Sequence, residues 1–141
     1  MTPLEKEIIR RKLAVIIENL QALTPIKKMT QEQYVDDIYK RKATERLLQE
    51  LIEAAIDINT HIITQTDNTV TDDYYESFVK MGECSIIPTD LANELAPSAG
   101  LRNRLVHEYD TIEHSIILEA VKKVDELYPL YIKAIDRYIS Q

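Results

Sequence analysis

Residues 31–64, QEQYVDDIYKRKATERLLQELIEAAIDINTHIIT, run for thirty-four positions without a glycine or a proline. Tyr34, Ile38, Ala43, Leu47, Leu51, Ala54, Ile58 and Ile62 recur along them in helical register, which lays one apolar stripe on a helix. The pattern predicts one long helix, or two meeting near Lys40, opened by the capping pair Thr30 and Gln33. The chain before it repeats the theme. Thr2-Pro3-Leu4-Glu5 combines a threonine cap, a proline at the first helical position and a glutamate three residues after the cap. Leu4, Ile8, Ile9, Leu13, Ile16, Ile17, Leu20 and Leu23 then form the stripe of a first helix, which Thr24-Pro25 is expected to end.

After residue 64 the chain is polar to Thr71 and reads as a loop. Asp72 and Asp73 favour the positive end of a short helix running to Gly82, and Ile86-Ile87-Pro88 interrupts. Residues 90–109 make a further helical stretch, expected to bend near Pro97 or Gly100. Asp110 and Glu113 offer a capping pair for the last helix, which would bury Ile112, Ile116, Ile117, Ala120, Val121, Val124, Leu127, Tyr131, Ile135 and Tyr138. Pro129 lies within that stripe, where a lost amide donor and a clash one turn back predict a kink. No segment alternates apolar and polar residues long enough to make a strand. The expected fold is all-α, an up-and-down helical bundle.

Length and composition bound the function. A chain of 141 residues has the size of one domain, expected here over 1–141, and 45% hydrophobic with 29% charged residues is a globular balance. Two glycines, Gly82 and Gly100, are too few for a phosphate-cradling loop, so P-loop and dinucleotide-fingerprint enzymes are excluded. Cys84 is the single cysteine and has no partner for an internal disulfide. Glu5, Lys6, Glu7, Arg10, Arg11 and Lys12 break any apolar leader, which points to a cytoplasmic protein with no membrane segment. The net charge of −7 argues against broad affinity for nucleic acid. The acid excess is central: residues 61–100 hold one basic and seven acidic side chains, whereas residues 1–30 hold six and three. A polyanion would therefore approach the first and last helices, or a patch assembled by two chains.

Chemistry concentrates in residues 101–109, LRNRLVHEY. Asn103 and His107 stand four apart and share a helical face, with Arg104 flanking it. Arg102 stands five before His107, and on a regular helix that spacing turns the two about 140° apart. They converge only through the arginine's length or through a second copy of the chain. On composition alone the segment reads as a charged surface turn. No His-Glu-x-x-His and no Glu-x-x-His of the di-iron bundles occurs, so no metal site is expected from the seven-residue spacing of His107 and His114. His61, beside Ile62 and Ile63, reads as a boundary residue.

Arg102-Asn103-x-x-x-His107-x-Tyr109, within LRNRLVHEYD, resembles the Arg-x-x-x-x-His-x-Tyr signature of HepT toxins in the HEPN ribonuclease superfamily. ERLLQELIEAAIDINTHII, YYESFVKMGECSIIPTDLANEL and the closing helix are similar to the HepT layout as well, so the resemblance covers nearly the whole chain. It implies a HEPN-like helical homodimer whose motifs meet across the twofold axis. It also implies the toxin of a type VII-like toxin–antitoxin pair, a metal-independent endoribonuclease acting by attack of a ribose 2′-hydroxyl on the adjacent phosphate. In that scheme Arg102 and His107 are catalytic, Asn103 and Arg104 support RNA contact, and no cofactor is needed. The implied partner is a minimal nucleotidyltransferase antitoxin, which carries the magnesium and transfers AMP to Tyr109. Glu108 departs from the small residue common there in the family and adds a negative charge beside the RNA site. The alternative reading is a non-catalytic module that docks an adjacent nucleotidyltransferase.

Overall fold

The computed structural model describes residues 1–66, 73–108 and 111–141. These form seven helices: α1 Pro3–Lys27, α2 Gln31–Val35, α3 Ile38–Thr66, α4 Tyr74–Glu83, α5 Thr89–Leu95, α6 Pro97–His107 and α7 His114–Ile139. Among the described residues no strand occurs and no helix is long and apolar enough to cross a membrane. The all-α bundle is as expected, and the differences lie where helices start and stop.

The first helix opens as its sequence predicts. Thr2 Oγ1 accepts from the Glu5 amide at 3.2 Å, and the Glu5 carboxylate accepts from the Thr2 amide at 2.7 Å. That backbone bond holds the Glu5 carboxyl below its usual range. Thr24-Pro25, however, does not end α1. Pro25 sits inside the last turn, and the buried Leu23 and Ile26 on either side of it keep that turn packed on the core.

The long central segment divides at Asp36–Asp37, a few residues before Lys40. Asp36 caps the end of α2, and Asp37 Oδ1 accepts from the Lys40 amide at 3.0 Å to open α3. The Asp37 carboxylate thus offers the backbone an alternative to continuing the helix, while Asp36 closes α2 through its own amide. Asp73 caps α4 by accepting from the Tyr75 amide at 2.9 Å, while Thr71 and Asp72 lie outside the described residues.

Residues 90–109 are two helices rather than one bent helix. Pro97 occupies the first turn of α6 and Gly100 lies inside it without disturbing it. Asp110 falls outside the described residues, but α7 starts at His114, three residues later than the Asp110–Glu113 pair predicts, with Glu113 itself at the cap position. α7 then runs unbroken through Pro129, which is solvent-exposed, so the backbone bond it lacks is lost on the wet side.

α1 packs along α3 and α7, and the short helices α4 and α5 close the other side of α3 and α7. The core holds Ile16, Leu48, Leu51, Ile52, Tyr131 and Ile135, all essentially inaccessible. Truncating one of these aliphatic residues to alanine costs about 2–5 kcal/mol. Gly82 lets α4 and α5 touch, because a Cβ there would stand 2.7 Å from the Ala92 Cβ. The predicted stripes were too wide at their edges: Leu4, Ile8, Ile17, Ile38 and Ile116 are exposed, as is the small Ala43.

Candidate functional site

α6 is seated by the buried Ala99 and Leu105 against α3 and α4. Arg102 leaves this helix on its packed flank, with a side chain 19% exposed. Its Nε donates to Glu53 Oε1 of α3 at 3.3 Å, and its Nη1 donates to Asn103 Oδ1 at 3.2 Å. The guanidinium carbon stands 5.1 Å from the centre of the Tyr74 ring at the start of α4. Gln49 Nε2 donates to the same Glu53 oxygen at 2.8 Å. Arg102 is thus a cation clamped between a carboxylate, an amide and an aromatic face.

His107 is the last residue of α6 and is exposed. The five-residue spacing behaves as the helix geometry requires: Arg102 turns into the α3–α4 seam while His107 faces outward. The Asn103 carbonyl oxygen serves Arg102. Arg104 is half-buried, and its carbonyl accepts from the Glu108 amide at 2.7 Å where the helix stops. The Glu108 carbonyl in turn accepts from both the amide and the hydroxyl of Thr111 at 3.0 Å, so its backbone anchors the connection to α7. Tyr109 lies outside the described residues.

The start of α7 packs against α2. His114, the first residue of α7, meets the ring of Tyr34 edge-on with centroids 5.7 Å apart. Tyr34 is fully buried, and burial, with the nearby Glu45 charge, pushes its phenol up to about 12. Tyr34 Oη and Arg41 Nε have no hydrogen-bond partner among the described residues. The Thr44 hydroxyl donates to the Lys40 carbonyl at 2.6 Å. Arg102 on α6 thus faces Glu53 of α3, and His114 at the start of α7 faces Tyr34 of α2.

Sequence reasoning named Arg102, Asn103, Arg104 and His107 but missed Glu53, Gln49 and Tyr74. Glu53 and Gln49 read as ordinary polar-face residues of a long helix, and only their i, i+4 spacing hinted at a pair. Tyr74 is nearly thirty residues from Arg102, and nothing local joins them. His61 is half-buried, as expected for a boundary residue, with its Nε2 3.3 Å from Gln65 Nε2.

Comparison with known proteins bears on this geometry. A family model described as Ribonuclease HepT-like matches residues 13–135. The tRNA nuclease HepT of Aphanizomenon flos-aquae (strain 2012/KM1/D3) is 37% identical over 139 residues, covering 99% of this chain and 95% of that one. Two solved structures share the fold. One is a crystal structure of a toxin–antitoxin with AMP-PNP, with a TM-score of 0.83 at 25% identity, covering 93% of this chain and 98% of that one. The other is the tri-AMPylated Shewanella oneidensis HEPN toxin in complex with MNT antitoxin, with a TM-score of 0.82 at 26% identity, covering 97% and 99%.

Proposed function

The chain belongs to the HepT-like ribonuclease family, and from that premise we propose that it is the endoribonuclease toxin of a toxin–antitoxin pair. The observation that carries this reading is the placement of Arg102 and His107 on α6, one clamped and one exposed at the helix end. In this mechanism His107 takes the proton of a ribose 2′-hydroxyl, whose oxygen forms a bond to the adjacent phosphorus. The bond to the 5′-oxygen breaks, and that oxygen leaves with a proton returned by an imidazolium. The products are a 2′,3′-cyclic phosphate and a 5′-hydroxyl. DNA lacks the attacking group.

An imidazole titrates at about 6.5 in model peptides and so exchanges protons near neutral pH, a role contributing about 10²- to 10⁴-fold. Arg102 holds the phosphate and its extra negative charge in the pentavalent transition state. Asn103 orients the Arg102 guanidinium, and Arg104 supplies a further phosphate contact. General acid–base chemistry and a fixed cation are sufficient for this reaction, so cleavage is proposed to need no metal ion. The site is composite, built by two copies of the chain, because Arg102 and His107 diverge on one helix. The relative named a tRNA nuclease makes tRNA the first substrate to test.

The partner is a minimal nucleotidyltransferase antitoxin, which brings magnesium and transfers AMP to Tyr109. Two structural relatives are toxin–antitoxin structures, and one toxin is AMPylated, which supports this part of the reading. Tyr109 follows His107 by two residues, so a bulky adenylate there blocks the RNA path by charge and volume. Glu108 weakens RNA approach with its own charge.

The deciding experiment incubates the purified protein with tRNA in excess chelator. Cyclic phosphate ends are expected from the native chain and not from His107→Ala. Cleavage by His107→Ala at the native rate, or abolished by chelation alone, would overturn the mechanism. A native chain that binds the transferase without ever cutting RNA would leave the docking module as the function. Co-expression with the transferase should place adenylyl groups on Tyr109, read by mass spectrometry, and Tyr109→Phe should stay toxic in its presence.

A further inference from the structure

We propose that the groove beside Tyr74 holds the base of the nucleotide whose phosphate Arg102 takes, and that it favours bases with an exocyclic amino group over uracil. The inference rests on the ribonuclease reading and adds a substrate preference to it.

Tyr74 joins the two features. The guanidinium carbon of Arg102 stands 5.1 Å from the centre of its ring, and the same side chain, 38% exposed, lines an open groove of about 710 Å³ along the C-terminal turns of α3. A ring with a cation over one face keeps its other face for a second partner. In a nucleotide the phosphate and the base hang from one ribose, so a phosphate drawn to Arg102 brings a base within reach of Tyr74. Aromatic rings hold unpaired bases by stacking, whichever base is presented.

The rest of the lining suits a base and not a phosphate. Asp57, Thr60, His61, Thr64 and Gln65 supply a carboxylate, hydroxyls, an imidazole and an amide, with no lysine or arginine among the lining residues. A phosphate meets the Asp57 charge there and no fixed cation, whereas a neutral ring edged with donors and acceptors meets no such penalty.

The free polar atoms of the groove are mainly acceptors. Asp57 Oδ2 accepts from Lys12 Nζ at 2.9 Å, which leaves Oδ1 without a partner among the described residues. Gln65 Nε2 donates to Glu5 Oε1 at 2.7 Å and stands 3.3 Å from His61 Nε2. Both amide hydrogens are thus engaged in the tautomer that carries the His61 proton on Nδ1, and Gln65 Oε1 is left to accept. The Thr64 hydroxyl donates to the Thr60 carbonyl at 2.7 Å, so its hydrogen is taken as well. Acceptors of this kind pair with the amino group of cytosine or adenine, while the carbonyl oxygens of uracil face them unpaired.

The chain contains no tryptophan, so Tyr74→Trp places a single reporter at the groove. It is combined with His107→Ala, which the proposed mechanism leaves unable to cut, and titrated with oligo(A), oligo(C) and oligo(U) of about ten nucleotides. Oligo(A) and oligo(C) should quench the fluorescence with a Kd roughly tenfold below that of oligo(U). Asp57→Asn, whose amide can donate to a uracil carbonyl, should shrink that difference to about threefold or less. Fluorescence that no oligonucleotide quenches, equal affinity for all three, or a preference for oligo(U) would each overturn the site, as would a preference unmoved by Asp57→Asn. With His107 intact, Tyr74→Ala should raise KM for oligo(A) roughly tenfold and Tyr74→Phe should restore it, because the ring and not the hydroxyl does the stacking. Equal losses in the two variants would contradict that role, and far-UV circular dichroism checks that each variant is folded. RNA that quenches the reporter but is never cut by the native chain keeps the groove and sinks the ribonuclease reading, whereas RNA cut by the native chain with a silent reporter does the opposite.

Discussion

Two polar clusters share helix α3, scarcely two turns apart, and they are built in opposite ways. In the first, Tyr131 Oη–H lies 2.6 Å from Asn59 Oδ1 and 3.1 Å from the Ala55 carbonyl, Asn59 Nδ2 donates to Ser77 Oγ at 3.2 Å, and Ser77 Oγ donates to the Tyr74 carbonyl at 2.7 Å. Every member is neutral, and Tyr131, Asn59 and Ser77 are buried. In the second, Arg102, Glu53, Gln49 and Asn103 are charged or amide groups at a half-open seam. A neutral buried network is strong because its alternative is an unpaired group in a dry interior. A half-exposed ion pair is weak because water stands ready to replace either partner. The first cluster is therefore suited to fixing α3, α4 and α7 together, and the second to giving up its arginine to a phosphate.

The contrast can be broken most directly at its functional end. Arg102→Ala and His107→Ala should each lower cleavage by roughly 10²-fold or more. His107→Ala should leave the melting temperature nearly unchanged, as the side chain is exposed. Calorimetry showing His107→Ala strongly destabilised would make the histidine structural.

At the structural end, Tyr131→Phe removes the donor that Asn59 Oδ1 depends on and should destabilise the fold by about 1–3 kcal/mol in a urea titration. RNA cleavage below the midpoint should be native. A variant as stable as the native chain would mean that the neutral network adds nothing.

Alkali should separate the two clusters again. Burial holds the phenols of Tyr34, Tyr128 and Tyr131 above the usual 10, with Tyr34 at about 12. Their folded-state values exceed the unfolded ones, so their contribution is intact below about pH 10 and is lost as pH climbs toward 12. Ellipticity should fall together with the rise in tyrosinate absorbance over that window. Phenols that ionise near pH 10 while the helices persist would contradict the burial argument.

The smallest effect belongs to Glu53→Gln. An exposed-side ion pair of this kind is worth about 0–1 kcal/mol, so stability should barely move. Removing a competing carboxylate should instead lower KM for RNA a few-fold at constant kcat. A rise in KM would show that Glu53 positions Arg102 for substrate rather than competing with it.

Local sequence determined the helical fold because the signals for it are local. The Thr2–Glu5 capping box, the stripe through Leu47, Leu51, Ile58 and Ile62, and the missing glycines all act within a turn or two of backbone. It also supplied the motif residues, since Arg102 and His107 stand in one short segment with a recognisable pattern, and the family to which they point is the family the chain belongs to. Helix ends were less legible. Pro25 remains helical because Ile26 is buried, and α3 starts at Ile38 because the carboxylate of the preceding Asp37 reaches the Lys40 amide. Tertiary structure alone decided what surrounds Arg102. Glu53 and Tyr74 come to it from 49 and 28 positions away in the chain, because α3 and α4 pack on α6. No periodicity encodes that approach: a helix pattern specifies which face is buried, whereas the partner it meets is chosen by how all the buried faces fill one core.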